Sequence, residues 1–269
     1  MIRYNGYVIG KGGYWLKAVD PYNPLNLPPF TIRLKYRDNV TPTFSKGTGV
    51  QVSTSPNIWD LTYENTNWDS VLMNQTNLLE VNGANTSGIT GMHSLFAGCT
   101  GLSNVALFDT SNCTYMVTMF NDCSSLTIIP LFDTSSCTNM QQLFSNCTAL
   151  TNVPLINLSN CRSTNGMFDG CSTLESVPLF NTSNVVYMTG MFSSCSSLKT
   201  VPLFNTSSVV YTNGMFAYCY NVQTGAYALY QQMSTQTTPP IYHDNTFYGC
   251  GSNTVSGAAE LAQIPSDWK

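Results

Sequence analysis

Apolar residues in the middle of the chain recur every 24 positions. One ladder is Phe96, Phe120, Phe144, Phe168, Phe192 and Phe216; a second is Cys99, Cys123, Cys147, Cys171, Cys195 and Cys219. Neither drifts. A fixed period of about 20 to 50 residues predicts stacked coils, because one such unit cannot bury its apolar face alone. Each unit reads as two halves. Val185, Met188, Met191, Phe192, Cys195 and Leu198 are spaced by threes and fours, which predicts a turn or two of helix, with Ser183-Asn184 as its N-cap. Leu198, Val201 and Leu203 follow as a short strand with all three side chains inward. Pro130, Pro154, Pro178 and Pro202 each remove a backbone donor there, so the strand ladder should be weak on that side. The expected fold class is an α/β repeat solenoid of 24-residue coils, with one short strand and one short helix per coil and an N-terminal β cap.

The same frame sets the expected domains. Leu72, Leu78, Val81, Ser87 and Met92 lie 24 residues before matching positions of a regular coil, so the solenoid spans residues 70–222. After Val222 the frame breaks. Tyr227–Met233 can form a helix, Thr246–Cys250 re-enters the pattern, and Leu261-Ala262-Gln263-Ile264-Pro265 matches the strand half, which makes 223–269 an irregular last coil and cap. Ahead of the repeat, Phe30–Tyr36 alternates apolar and polar with period two, the mark of a half-buried strand, and anchors a β cap over 28–69. Residues 1–27 form an arm punctuated by Gly10, Gly12 and Gly13. No helix-forming run and no Gly-Lys-Ser/Thr follow these glycines, so they are not a phosphate loop.

The unit Leu126 to Phe144, with Pro130-Leu131-Phe132-Asp133-Thr134-Ser135 inside it, resembles the BspA-like leucine-rich repeat of bacterial surface proteins. Similar repeats occur in phages of gut bacteria. The resemblance covers about residues 70–222 and implies a right-handed solenoid used for adhesion and binding, without catalysis. Exported bacterial members carry a signal peptide and an anchoring region. Neither is visible here, which favours a virion structural protein, fibre-associated or a decoration component, over a bacterial cell-surface adhesin.

Composition changes this picture little. Charged residues are only 9% of the chain, and Ser, Thr and Asn fill the surface in their place, which suits a virion or extracellular setting. Charge is unevenly placed: residues 1–46 hold seven basic and two acidic side chains, the remainder three basic and twelve acidic. An acidic solenoid without a basic stripe argues against nucleic acid as a partner. No stretch of 18 apolar residues exists, so membrane insertion is not expected.

Candidate chemistry is sparse. All ten cysteines sit in the repeat frame, with no Cys-x-x-Cys spacing, and are expected as buried free thiols and not as metal ligands or disulfides. His93 and His243 lie far apart in the pattern, so no catalytic triad is assigned, no cofactor is expected and no enzyme is inferred. Asp109, Asp133, Asn157, Asn181 and Asn205 could ligate calcium or bond the turn backbone beside them, and the turn reading is preferred. The row Phe108, Phe132, Phe180 and Phe204 has two readings. Simple alternation after an inward Leu107 points it outward, as an apolar stripe for a host surface protein or glycan; if the strand has already ended, the rings tuck into the core. The arm, through Arg3, Tyr4, Tyr7, Lys11, Tyr14 and Trp15, is the expected docking element for other virion proteins. A homo-oligomer is left open.

Overall fold

The computed structural model describes residues 25–269 and, before them, three short strands. These are β1 (Arg3–Tyr4), β2 (Tyr7–Ile9) and β3 (Trp15–Lys17), which pair antiparallel in that order. Three longer strands follow, β4 (Thr31–Tyr36), β5 (Thr48–Thr54) and β6 (Asn57–Thr62). With β7 (Leu78–Asn85) and β8 (Asn104–Val105) they make one sheet of order β5-β6-β4-β7-β8. β7 is its seam. It is antiparallel to β4 on one side and parallel to β8 on the other, with Val81 opposite Val105, one period on. Two basic residues of the N-terminal segment are neutralised here. Arg33 makes a bidentate bond to Asp60 at 2.7 Å, and Lys35 Nζ donates to Glu80 at 2.7 Å.

Coils then stack in register. Parallel bridges join Asn67, Gly91, Tyr115, Asn139, Ser163, Tyr187 and Tyr211 in succession, then Tyr242 after an insertion. The inner phenylalanines form one continuous pile. Ring centroids from Phe96 to Phe216 lie 5.2–5.7 Å apart, and Phe247 continues the pile at 6.0 Å. A single apolar core runs from Ile32 to Trp268.

The coils hold no α-helix, contrary to the expectation from the spacing of threes and fours. Backbone N–H groups alternate in their use instead. Leu95, Ala97 and Cys99 each donate to the carbonyl three residues back, at 3.0–3.3 Å, whereas Ser94, Phe96 and Gly98 donate to Val117, Met119 and Asn121 of the next coil, at 2.8–3.0 Å. The path is a run of tight turns. Its third positions have positive φ in coil after coil: Ser94 and Gly98, Thr118 and Asp122, Gln142 and Asn146, Gly166 and Gly170. Left-handed residues every fourth position cannot sit in an α-helix, but they are what a type II turn needs. The same alternation favours a fixed period, since a residue inserted within the run of turns would put its donors out of register with the next coil. Ser183-Asn184 is accordingly no helix cap: Asn184 Nδ2 instead donates to the Ser159 carbonyl of the preceding coil, at 2.6 Å.

The strand half also departs from expectation. Among the described residues no strand forms on that side after β8. The prolines remove donors, and the chain turns tightly instead: the N–H groups of Phe132 and Phe204 donate to Pro130 and Pro202, two residues back, at 2.9 and 3.0 Å. Such a three-residue turn resets the alternation and places its central leucine outside.

Two helices close the far end, α1 (Ala226–Ser234) and α2 (Val255–Gln263). Leu261 lies within α2, so Leu261–Pro265 is not the strand half of a further coil. The Glu260 carboxylate accepts from the N–H groups of Gly225 and Tyr227 at the start of α1, at 3.3 and 3.2 Å, satisfying donors that a helix leaves open. Trp268 covers the end of the phenylalanine pile, its carbonyl accepting from Phe247 N–H at 2.8 Å. Gly225 makes the turn into α1 with φ 99°, and a Cβ there would press on the Val201 carbonyl oxygen. Gly225→Ala should therefore lose about 2–3 kcal/mol in urea unfolding, from left-handed strain plus a clash with fixed backbone. A loss below about 0.5 kcal/mol would show that α1 can shift off the coil.

Candidate functional site

The row Phe108, Phe132, Phe180 and Phe204 is core. The four side chains are 0, 8, 2 and 0% exposed, and they pack on the central pile, as Phe204 does on Phe192 at 5.8 Å. The outward reading of this row is thus overturned; at Phe132 and Phe204 the tight turn at Pro-Leu-Phe is the reason. The apolar stripe exists one residue earlier. Leu131, Leu155, Leu179 and Leu203 are 57, 60, 60 and 50% exposed, on four consecutive coils, so the inward assignment of Leu203 is corrected as well. A slip of one residue exchanges the two faces of an extended segment. Shallow grooves flank the stripe, one bounded by Leu131, Leu155 and Asn157, another by Leu179, Leu203 and Gln232 of α1.

The polar ladders are consumed by the fold. Asp109, Asp133, Asn157, Asn181 and Asn205 each accept the N–H two residues on, at 2.9–3.3 Å, as turn-forming side chains do. Bonding to Ser135 holds the Asp133 carboxyl below its ordinary range. Thr86, Thr110, Thr134 and Thr182 donate to a carbonyl of the next coil at 2.7–2.8 Å. All ten cysteines are free and buried. Cys123, Cys147, Cys171 and Cys195 direct Sγ at the carbonyls of Phe96, Phe120, Phe144 and Phe168 at 3.1–3.2 Å, so the thiol fills a small space and supplies a weak donor. Among the described residues no three His, Cys, Asp or Glu side chains group as metal ligands. His93 bonds Ser94, and His243 stacks on Trp268 at 4.1 Å.

Of the arm residues, Arg3 and Tyr4 lie in β1, Tyr7 in β2 and Trp15 in β3, with Tyr4 opposite Tyr7. Lys11 and Tyr14 lie outside the described residues.

A second surface was missed in the sequence. Tyr187, Tyr211 and Tyr242 stack across three coils at 4.9 and 4.5 Å. Tyr115, Tyr187 and Tyr211 share one phase of the period, which was the available signal. A few residues along the same coils, a groove of about 670 Å³ opens between Ser193, Asn213, Tyr218, Asp244, Asn245 and Tyr248.

Residues 66–177 and 151–238 match the model of the family described as "Mycoplasma protein of unknown function, DUF285". Together these stretches make up more than half of the sequence. The chain belongs to this family. The exposed leucine stripe lies wholly inside the DUF285 match, whereas Asp244, Asn245 and Tyr248 of the groove lie beyond its end. No curated protein matches the sequence. Among solved structures, a leucine-rich repeat protein of T. pallidum superposes on this DUF285 chain with a TM-score of 0.47 and 21% identity, over 75% of this chain and 98% of its own. A leucine-rich repeat protein from Eubacterium ventriosum gives a TM-score of 0.44 and 17% identity, over 68% of this chain and 55% of its own.

Proposed function

We propose that this chain is a non-enzymatic recognition protein that sets the lateral face of its solenoid against a protein or glycan on a cell surface. The observation that carries the reading is the row Leu131, Leu155, Leu179 and Leu203. Scattered exposed leucines need no explanation, but four at one place on four successive coils form a continuous apolar stripe, and such stripes mark contact surfaces. The non-enzymatic part is supported by what the repeated reactive side chains do: the ladders of thiols, of Asp109 and Asp133, and of threonine hydroxyls bond carbonyls and turns. The test is Leu155→Ser with Leu179→Ser. Binding of labelled protein to host cells should fall at least about tenfold, with a melting temperature within about 3 °C of the parent, because these positions are exposed. Unchanged binding would remove the stripe from the reading.

In its finer form the reading makes the chain a virion component docked through residues 1–27 to another virion protein. It rests on the resemblance to phage-borne repeats. A chain lacking residues 1–27 should stay folded, since β4 and its partners remain, and should no longer be incorporated into particles; normal incorporation would remove the arm as anchor. The alternative is a bacterial cell-surface adhesin; the family description names a bacterium, Mycoplasma, and gives no function.

A further inference from the structure

We infer that the groove between Tyr218 and Tyr248 is a binding site for an uncharged oligosaccharide. The inference deepens the recognition reading by assigning a ligand class to a surface other than the leucine stripe. It begins with the rings. Tyr218 and Tyr248 are 43 and 48% exposed and meet edge to face at 5.3 Å, so ring surface faces the groove and not the core. An aromatic body with a hydroxyl tip suits a ligand that is apolar on one face and polar at its rim, as a pyranose is.

The polar groups follow. The side chains of Asn213, Asp244 and Asn245 line the groove and make no hydrogen bond within the described residues, although the backbone carbonyls of Asn213 and Asp244 bond one coil to the next and that of Asn245 accepts from Tyr248 N–H in its own turn. The corresponding side chain one coil before Thr189 is used differently: Asn165 Oδ1 accepts from Thr189 N–H at 2.9 Å. Two amides and a carboxylate are therefore left to donate to and accept from hydroxyl groups. No cation lines the groove, Asp244 does, and the chain after residue 46 carries twelve acidic against three basic residues. This charge disfavours sulfated, sialylated or phosphorylated ligands and selects uncharged ones.

The groove is open for a local reason. Its floor holds Gly190 and Gly214, where an added Cβ would meet nothing nearer than 3.8 Å. The same place in earlier coils holds Ser94, Thr118 and Gln142, all with positive φ, so the backbone alone does not demand glycine here. Side chains fill the furrow in the first coils and leave it clear in the last. The Tyr187, Tyr211 and Tyr242 stack begins each of these coil segments, as a second aromatic row along the solenoid axis outside the groove lining.

The test is calorimetric titration of the full chain with maltohexaose, cellohexaose, laminarihexaose and N-acetylchitohexaose, with heparin as the anionic control. At least one uncharged hexasaccharide should bind, and heparin should not. Tyr218→Ala with Tyr248→Ala should weaken that binding about ten- to hundredfold with the fold retained, both rings being exposed. Gly214→Gln should block it by filling the floor, since Gln142 shows that the backbone accepts this residue. Absence of binding by all four saccharides, binding that survives both variants, or a preference for heparin would each overturn the assignment. Loss of cell binding in the leucine variant alongside absent saccharide binding would overturn the groove and leave the recognition reading standing.

Discussion

Raising the pH is expected to unfold the protein cooperatively between about pH 9 and pH 10, because ten buried thiols must stay protonated in the fold. Burial pushes Cys99, Cys113, Cys137, Cys171 and Cys250 up to about 12 and Cys161 up to about 11. It holds Cys123, Cys147, Cys195 and Cys219 well above the ordinary thiol value, and neighbouring ladder thiols add to the shift. The folded values lie above the unfolded one, so this stability is complete below the unfolded thiol pKa, about 8.5, and is lost as pH rises toward the folded values. Each thiol then costs the folded state about 0.8 kcal/mol at pH 9 and about 2 kcal/mol at pH 10. Ten together cost roughly 8 and roughly 20 kcal/mol, against a usual domain stability of about 5–15 kcal/mol. Fluorescence of the buried Trp68 and Trp268 should change in the same pH interval as the ultraviolet absorbance of thiolate appears. Thiolate forming at pH 9 with the fluorescence unchanged would show that the ladder is open to solvent and that the thiols are not core.

The repeat and its core ladders were legible because burial imposes a strict period. Phe96, Cys99 and Leu102 recur in fixed phase, and all three are fully buried. The local path was not legible from apolar spacing. Threes and fours suit a helix, but they equally suit a chain of four-residue turns whose apolar residues face one core. What separates the two is the residue at the left-handed positions: Gly98, Gly166, Gly170, Gly190 and Gly214, with Asn, Asp or Ser at several equivalents. Those residue types tolerate positive φ, and their recurrence every 24 residues was visible. The leucine and phenylalanine faces were exchanged for a different reason. Period-two counting assumes that the strand continues, and the effect of a proline on the path of the next two residues depends on whether a neighbouring coil pairs with it. Here none does. The Tyr218 and Tyr248 groove was hidden because the insertion carrying α1 puts these residues 30 apart in sequence and on adjacent coils in space.

Phe168→Ala should destabilise the protein by about 3–5 kcal/mol, the usual cost of truncating a fully buried phenylalanine. Phe168 has no exposed surface and three ring neighbours, Phe144 at 5.7 Å, Phe192 at 5.5 Å and Phe180 at 6.1 Å. The cavity should stay open, because backbone bonds fix the spacing around it: Phe144 N–H donates to Met167 and Phe168 N–H to Met191, each at 2.9 Å. Neighbouring rings cannot move in without breaking that ladder. Leu179→Ala is the matched control. It removes an apolar side chain from an adjacent coil, but from the exposed row, so it should cost no more than about 0.5 kcal/mol. Urea unfolding of both variants measures the two faces on one scale. A cost below about 1 kcal/mol for Phe168→Ala would mean that the pile can close around a missing ring. Coils couple chiefly to their nearest neighbours, so the loss in the Phe168 variant should also divide the unfolding transition, with the coils before and after the gap melting at different urea concentrations. A single shifted transition with an unchanged slope would instead mean that the core from Ile32 to Trp268 unfolds as one unit even with its centre removed.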